Sequence, residues 1–67
     1  MTIGKTIKAA RERRGLNQRD CAKLLKVAQS TLSDWENGAI APRPRRLGEI
    51  ADALGIKASK LRAGLFE

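Results

Sequence analysis

The sequence predicts an all-α protein, a compact bundle of about five short helices. Apolar residues recur at intervals of three and four along nearly the whole chain, the spacing that gathers them on one helix face. No stretch alternates apolar and polar residues with period two for long enough to make a strand. Glycines and prolines cut the chain into short blocks. Gly15, Gly38, Gly55 and Gly64 each stand just past one, where a helix ends most easily in the left-handed conformation.

The first block, Ile3–Arg14, places Ile3, Ile7 and Ala10 at i, i+4 and i+7. The second, Gln18–Leu25, opens behind Asn17, a good N-cap, with Asp20 in the turn where the helix dipole favours an acid. Cys21, Leu24 and Leu25 form its apolar stripe, and Cys21 reads as a small core hydrophobe. The third block, Gln29–Glu36, has Leu32 and Trp35 three apart and follows Ala28, a poor cap. Trp35 reads as interhelix packing. The fourth, Arg45–Leu54, carries a full stripe of Leu47, Ile50, Ala51 and Leu54, and Pro44 suits its first turn. The fifth, Ala58–Ala63, follows Lys57, another poor cap. Each helix is too short to stand alone, so all must share one core.

At 67 residues, with no internal repeat and no low-complexity tract, the chain reads as a single domain, 1–67. Hydrophobic residues make up 42% of it, enough for a folded core. Fourteen Lys and Arg against seven Asp and Glu leave a net charge of +7, an excess that points to a polyanionic partner. With no His and one Cys, the side chains cannot build a tetrahedral zinc site or close an internal disulfide. No metal and no cofactor are expected. An enzyme is not expected either: there is no Cys–His pair and no carboxylate cluster, and a chain this small rarely encloses a substrate pocket. No apolar run approaches the roughly 20 residues of a membrane span, and the N-terminus has no apolar stretch of the kind a secretory signal needs. Trp35 and Phe66 are the two aromatics, too few for a platform that stacks single-stranded bases.

Residues 18–37, QRDCAKLLKVAQSTLSDWEN, carry the functional signal. A helix of about eight residues is followed by a short connection and a second short helix. Ala22, Leu25, Val27, Leu32 and Trp35 can meet between the two helices. The remaining face of the second helix offers Gln29, Ser30, Ser33 and Asp34. These are short amide, hydroxyl and carboxylate groups rather than the Lys, Arg and Glu of an ordinary surface. They suit close-range reading of base edges, because a helix fits the major groove of DNA.

The chain resembles the Cro/CI-type helix-turn-helix family, also called the XRE family, which includes the DNA-binding domains of lambdoid phage repressors. The residues that carry the resemblance are GLNQ (15–18), Ala22, STLSDWENG (30–38), PR (44–45) and EIADALG (49–55), in the right order and with the right gaps. The resemblance implies a lambda-repressor-like fold of five helices, with blocks two and three as the helix-turn-helix and the third as the recognition helix. By the same resemblance Gln29 reads adenine through its amide, and Ser30, Ser33 and Asp34 face the groove. Asp34 either accepts from cytosine N4 or repels phosphate at wrong sites. Asn17, Gln18 and Asn37 match phosphate-binding positions, and the first two begin a helix, where free N–H groups favour an anion. Arg43 and Arg45 fall in a loop that follows the DNA backbone in some relatives. Arg11 and Glu36 match an inward salt bridge that orients the recognition helix.

Four departures from the family pattern carry expectations. Lys26 stands where the family has Gly, and a left-handed Lys there costs on the order of 1 kcal/mol. Ala28 replaces the usual hydroxyl cap of the recognition helix, a loss of about 1 kcal/mol. The loop after Asn37 is one residue longer. Arg62 replaces a common Leu in the last helix. The resulting expectation is a homodimeric, sequence-specific binder of double-stranded DNA. It would act on a palindromic operator as a transcriptional regulator, a Cro-like repressor with no attached regulatory domain. Leu61, Leu65 and Phe66 either finish the core or form the subunit contact. The chain would be cytoplasmic, associated with the nucleoid through DNA and with no membrane. The alternative is an antitoxin or controller-type protein that binds a protein partner as well as DNA.

Overall fold

The structure, a computed structural model, describes residues 3–57, 59 and 61. Four α-helices appear there: α1 (Ile3–Arg13), α2 (Gln18–Leu25), α3 (Gln29–Asn37) and α4 (Leu47–Leu54), with a 3₁₀ turn at Pro44–Arg46. Residues 59 and 61 are helical, and the Leu61 N–H donates to the Lys57 carbonyl at 3.4 Å, one turn back. The rest of the expected fifth helix lies outside the described residues, as does Gly64. Among the described residues there is no strand.

All four α-helices send side chains to one core. Ile7 of α1, Cys21 of α2, Leu32 of α3, Leu47 and Ile50 of α4, and Leu61 are almost wholly shielded from solvent. α1 packs on α3 and α4, and α2 packs on the same two, so α3 and α4 sit between the other pair. The stripes expected from the spacing are the buried faces, with one correction. Leu24 was expected on the buried stripe of α2 but is 45% exposed, because Cys21, Ala22 and Leu25 already cover the core side. The start of the fourth block also differs. Pro44 heads a 3₁₀ turn instead of the α-helix itself: Arg46 N–H donates to the Arg43 carbonyl at 2.8 Å, and α4 begins at Leu47. Such tight turns commonly lead into helices, and this one delivers Leu47 into the core.

The helix ends follow one pattern. Gly15, Gly38 and Gly55 follow α1, α3 and α4 with φ of 72°, 80° and 70°, and Lys26 follows α2 with φ 59°. Leu16, Val27 and Ile56 come directly after such residues, and all three pack against the core. Their N–H groups reach back to carbonyls five residues earlier, at Arg11, Ala22 and Ala51. This is the paired hydrogen-bond and apolar contact by which left-handed caps close a helix.

Gly4 sits in the first turn of α1 and has a different role. A Cβ there would fall against the Trp35 carbonyl and within 2.8 Å of the Glu36 carbonyl oxygen. α1 and the last turn of α3 therefore touch backbone to backbone, an approach only glycine permits.

Candidate nucleic-acid interface

α2 and α3 are joined by three residues, Lys26 to Ala28. Lys26 adopts the left-handed conformation that its place in the turn demands (φ 59°, ψ 43°), with its N–H shared between the Ala22 and Lys23 carbonyls. Val27 then turns inward and Ala28 begins α3 with no side-chain cap. The expected helix-turn-helix is thus formed, with the strained Lys and the missing cap both in place.

α3 divides into a face toward the protein and a face toward solvent. Leu32, Trp35 and Glu36 are buried. Gln29 and Ser30 are exposed, and Ser33 and Asp34 are half-buried. The four proposed base-contact residues therefore lie along one accessible side, at i, i+1, i+4 and i+5. Asn37 continues that side one turn later, and its amide donates to the Ser33 hydroxyl at 3.3 Å.

The inward face is held by charge as well as packing. Arg11 Nε donates to Glu36 Oε2 at 2.7 Å, and a second guanidinium nitrogen donates to Oε1 at 3.1 Å. This bidentate pair is buried, with side-chain exposures of 11% for Arg11 and 2% for Glu36. The hydrogen bond to Glu36 pushes the Arg11 guanidinium further above its ordinary value, against the opposing effect of burial. The remaining guanidinium nitrogen donates to the Leu16 carbonyl at 2.9 Å, which ties the α1–α2 connection to the same group. Gln18 completes the cluster: its amide donates to Glu36 Oε1 at 3.2 Å. Arg11, Glu36 and Gln18 thus join α1, α2 and α3 at one point.

The phosphate candidates fall into two groups. At the start of α2, Asn17 is exposed and its Oδ1 caps the helix by accepting from Asp20 N–H at 2.7 Å. Gln18 is half-buried and committed in part to Glu36. Past α3, Arg43 and Arg45 are exposed on the loop and line an open cleft of about 570 Å³ with Arg46 and Glu49. Pro42 is buried and pins the base of that loop. Arg43 and Arg45 concentrate positive charge on this proline-braced loop, while Arg46 is paired with Glu49 at 3.0 Å.

The sequence pattern of the helix-turn-helix family matches residues 7–61. The chain belongs to the Cro/CI-type helix-turn-helix family of DNA-binding regulators. An immunity repressor protein of Bacillus phage phi105 is 38% identical over 61 residues, 91% of this chain and 42% of the relative. Multiprotein-bridging factor 1 of Debaryomyces hansenii is 35% identical over 57 residues, 85% of this chain and 38% of the relative. Human endothelial differentiation-related factor 1 is 33% identical with the same two coverages. The chain spans about two fifths of the length of these curated relatives.

Within this family frame some residues do more, or other, work than their sequence positions indicated. Gly4 was not singled out from the sequence, although an isolated glycine inside a helical block was the available signal. The Gln18 bond to Glu36 had no such signal. Leu61, a candidate for either the core or the subunit contact, is fully buried within one chain. Leu65 and Phe66 lie outside the described residues. Cys21 is fully buried, and burial pushes its thiol up, which favours the neutral form. Among the described residues no helix is long and apolar enough to cross a membrane, and no side-chain cluster could hold a metal ion.

Proposed function

We propose that this chain binds a two-fold symmetric DNA operator as a homodimer and represses transcription there. The observation that carries this is the division of α3. Gln29 and Ser30 are free at its start, while Trp35 and Glu36 are locked into the protein at its end. Such a helix enters the major groove with its first turns and is held rigidly from behind. Gln29 reads adenine through its amide, a bidentate contact worth about 1–3 kcal/mol of discrimination. Ser30 and Ser33 add contacts to neighbouring base edges, and Asp34 tunes or excludes sequences. Asn17, Gln18, Asn37, Arg43 and Arg45 hold the phosphates on either side, and their contribution falls steeply with salt. The phage immunity repressor among the relatives supports the repressing sense.

Pairing of two chains sets the half-sites one helical turn, about 34 Å, apart. We assign the pairing contact to Leu65 and Phe66. The experiment is selection from random duplex DNA at physiological salt. A palindrome with half-sites about one turn apart is expected, and Gln29→Ala should lose preference at one position of each half-site. Salt-sensitive binding with no enriched sequence would overturn the specific reading.

A second reading is favoured by the relatives named multiprotein-bridging factors, which are 35% identical in one case. In it the chain binds a protein partner together with DNA, as an antitoxin, controller or bridging regulator would. Full, specific operator occupancy by the chain alone counts against it.

A further inference from the structure

Leu24 is out of place for a core-type residue. It lies in the last turn of α2 and is 45% exposed, and among the large apolar side chains described only Ile40 is more open. Leu24 forms one edge of a groove of about 360 Å³ between the C-terminal end of α2 and α4. Trp35, Ile50 and Ala53 line its apolar part, and Lys26, Arg46 and Glu49 supply the charged groups. Arg46 and Glu49 satisfy each other at 3.0 Å. Lys26 is left as the charged lining group with no ion pair among the described residues. The groove is also separate from the base-reading side. At about 100° per residue, Trp35 projects about 200° around α3 from Ser33.

We propose that this groove docks a short, acidic, amphipathic helix of a protein partner. One or two bulky apolar side chains of that helix pack against exposed Leu24 and half-buried Ala53, and its carboxylates meet Lys26. The volume is near the lower end of the roughly 300–1,000 Å³ of ligand pockets, which suits side-chain anchors from a helix lying along the groove. Charge selects the occupant. Lys26 has no ion pair among the described residues and the chain carries +7, so an acidic segment is drawn in both by the groove and by the field around it. None of the residues assigned to base contact lines the groove, and Arg46 and Glu49 are the residues it shares with the arginine cleft.

The test is selection of short peptides from a random displayed library on the full chain, with the Leu24→Asn chain as the counter-selection. Trp35 is the single tryptophan and lines the groove, so its emission reports occupancy directly. Enriched peptides should be net negative, with apolar residues three and four apart, and should shift Trp35 emission on titration. They should bind Leu24→Asn about ten-fold more weakly, the effect of losing one apolar anchor, and Lys26→Gln several-fold more weakly. Leu24→Asn should keep its circular dichroism and its affinity for duplex DNA, which separates failure here from failure of the DNA reading. The proposal is overturned by peptides without acidic bias, by equal binding to Leu24→Asn, by an unmoved Trp35 signal, or by no enrichment over the control. A changed sedimentation of Leu24→Asn on its own would make the groove a self-association surface, and the proposal would fall in that case too.

Discussion

The two ends of α3 are built in opposite ways. Its first turn begins at Ala28 without a side-chain cap, two residues after a left-handed Lys, and carries exposed Gln29 and Ser30. Its last turn is pressed against Gly4, pinned by the buried Arg11–Glu36 pair, and closed by Gly38, whose N–H reaches the Asp34 and Trp35 carbonyls. The local chemistry that usually begins a helix is absent where DNA would be met. The tertiary contacts that fix its direction are concentrated about two turns away. A recognition helix must hold one orientation while leaving its groove-facing end unobstructed, and anchoring from the far end meets both requirements. A buried ion pair is weak evidence for net stability, because desolvation offsets much of the attraction. Its value here is directional, since the bidentate geometry fixes α3 relative to α1.

Removing the anchor should have the largest effect. Glu36→Ala strands a buried guanidinium and should cost about 3–5 kcal/mol, which is comparable to everything a core this size supplies. The expected outcome is a chain largely unfolded at room temperature by circular dichroism. A variant that melts like the native chain would show that the last turn of α3 is not its anchor. Gly4→Ala is next. The added methyl meets carbonyl groups of α3, and a loss of about 1–3 kcal/mol is expected in urea unfolding.

The free end should respond less, and in the other direction. Lys26→Gly removes left-handed strain and should stabilise by about 1 kcal/mol. Ala28→Ser supplies the missing cap and should add up to about 1 kcal/mol. Both are read as a raised urea midpoint. If either exceeded the loss in Gly4→Ala, the contrast between the two ends would collapse. The smallest effect concerns Cys21, behind α3 in the core. Its thiol is buried and its thiolate disfavoured, so a disulfide reagent should modify it only on unfolding. Ready reaction in the native chain would mean that the core opens locally near α2.

Much of this was legible in the residues. The apolar stripes at spacings of three and four marked α1 to α4 to within a residue or two, because that periodicity follows from helix geometry alone. Glycines past α1, α3 and α4 marked their ends, because a left-handed residue without a Cβ is the cheapest way out of a helix. The motif from Gln18 to Asn37 located the helix-turn-helix, and Lys26 and Ala28 could be recognised as departures and were found as such. Leu24 was misplaced, because a stripe of three apolar residues on a short helix is wider than the core beneath it.

By itself the sequence determined the all-α class, the order of the helices, the basic charge and the polar side of α3, all properties set by local spacing and composition. Tertiary structure alone decided the backbone contact at Gly4, the bond from Gln18 to Glu36, the burial of Leu61 and the groove beside Leu24. Each depends on the distance between segments far apart in the chain, and that distance is set only when all the helices settle on a common core.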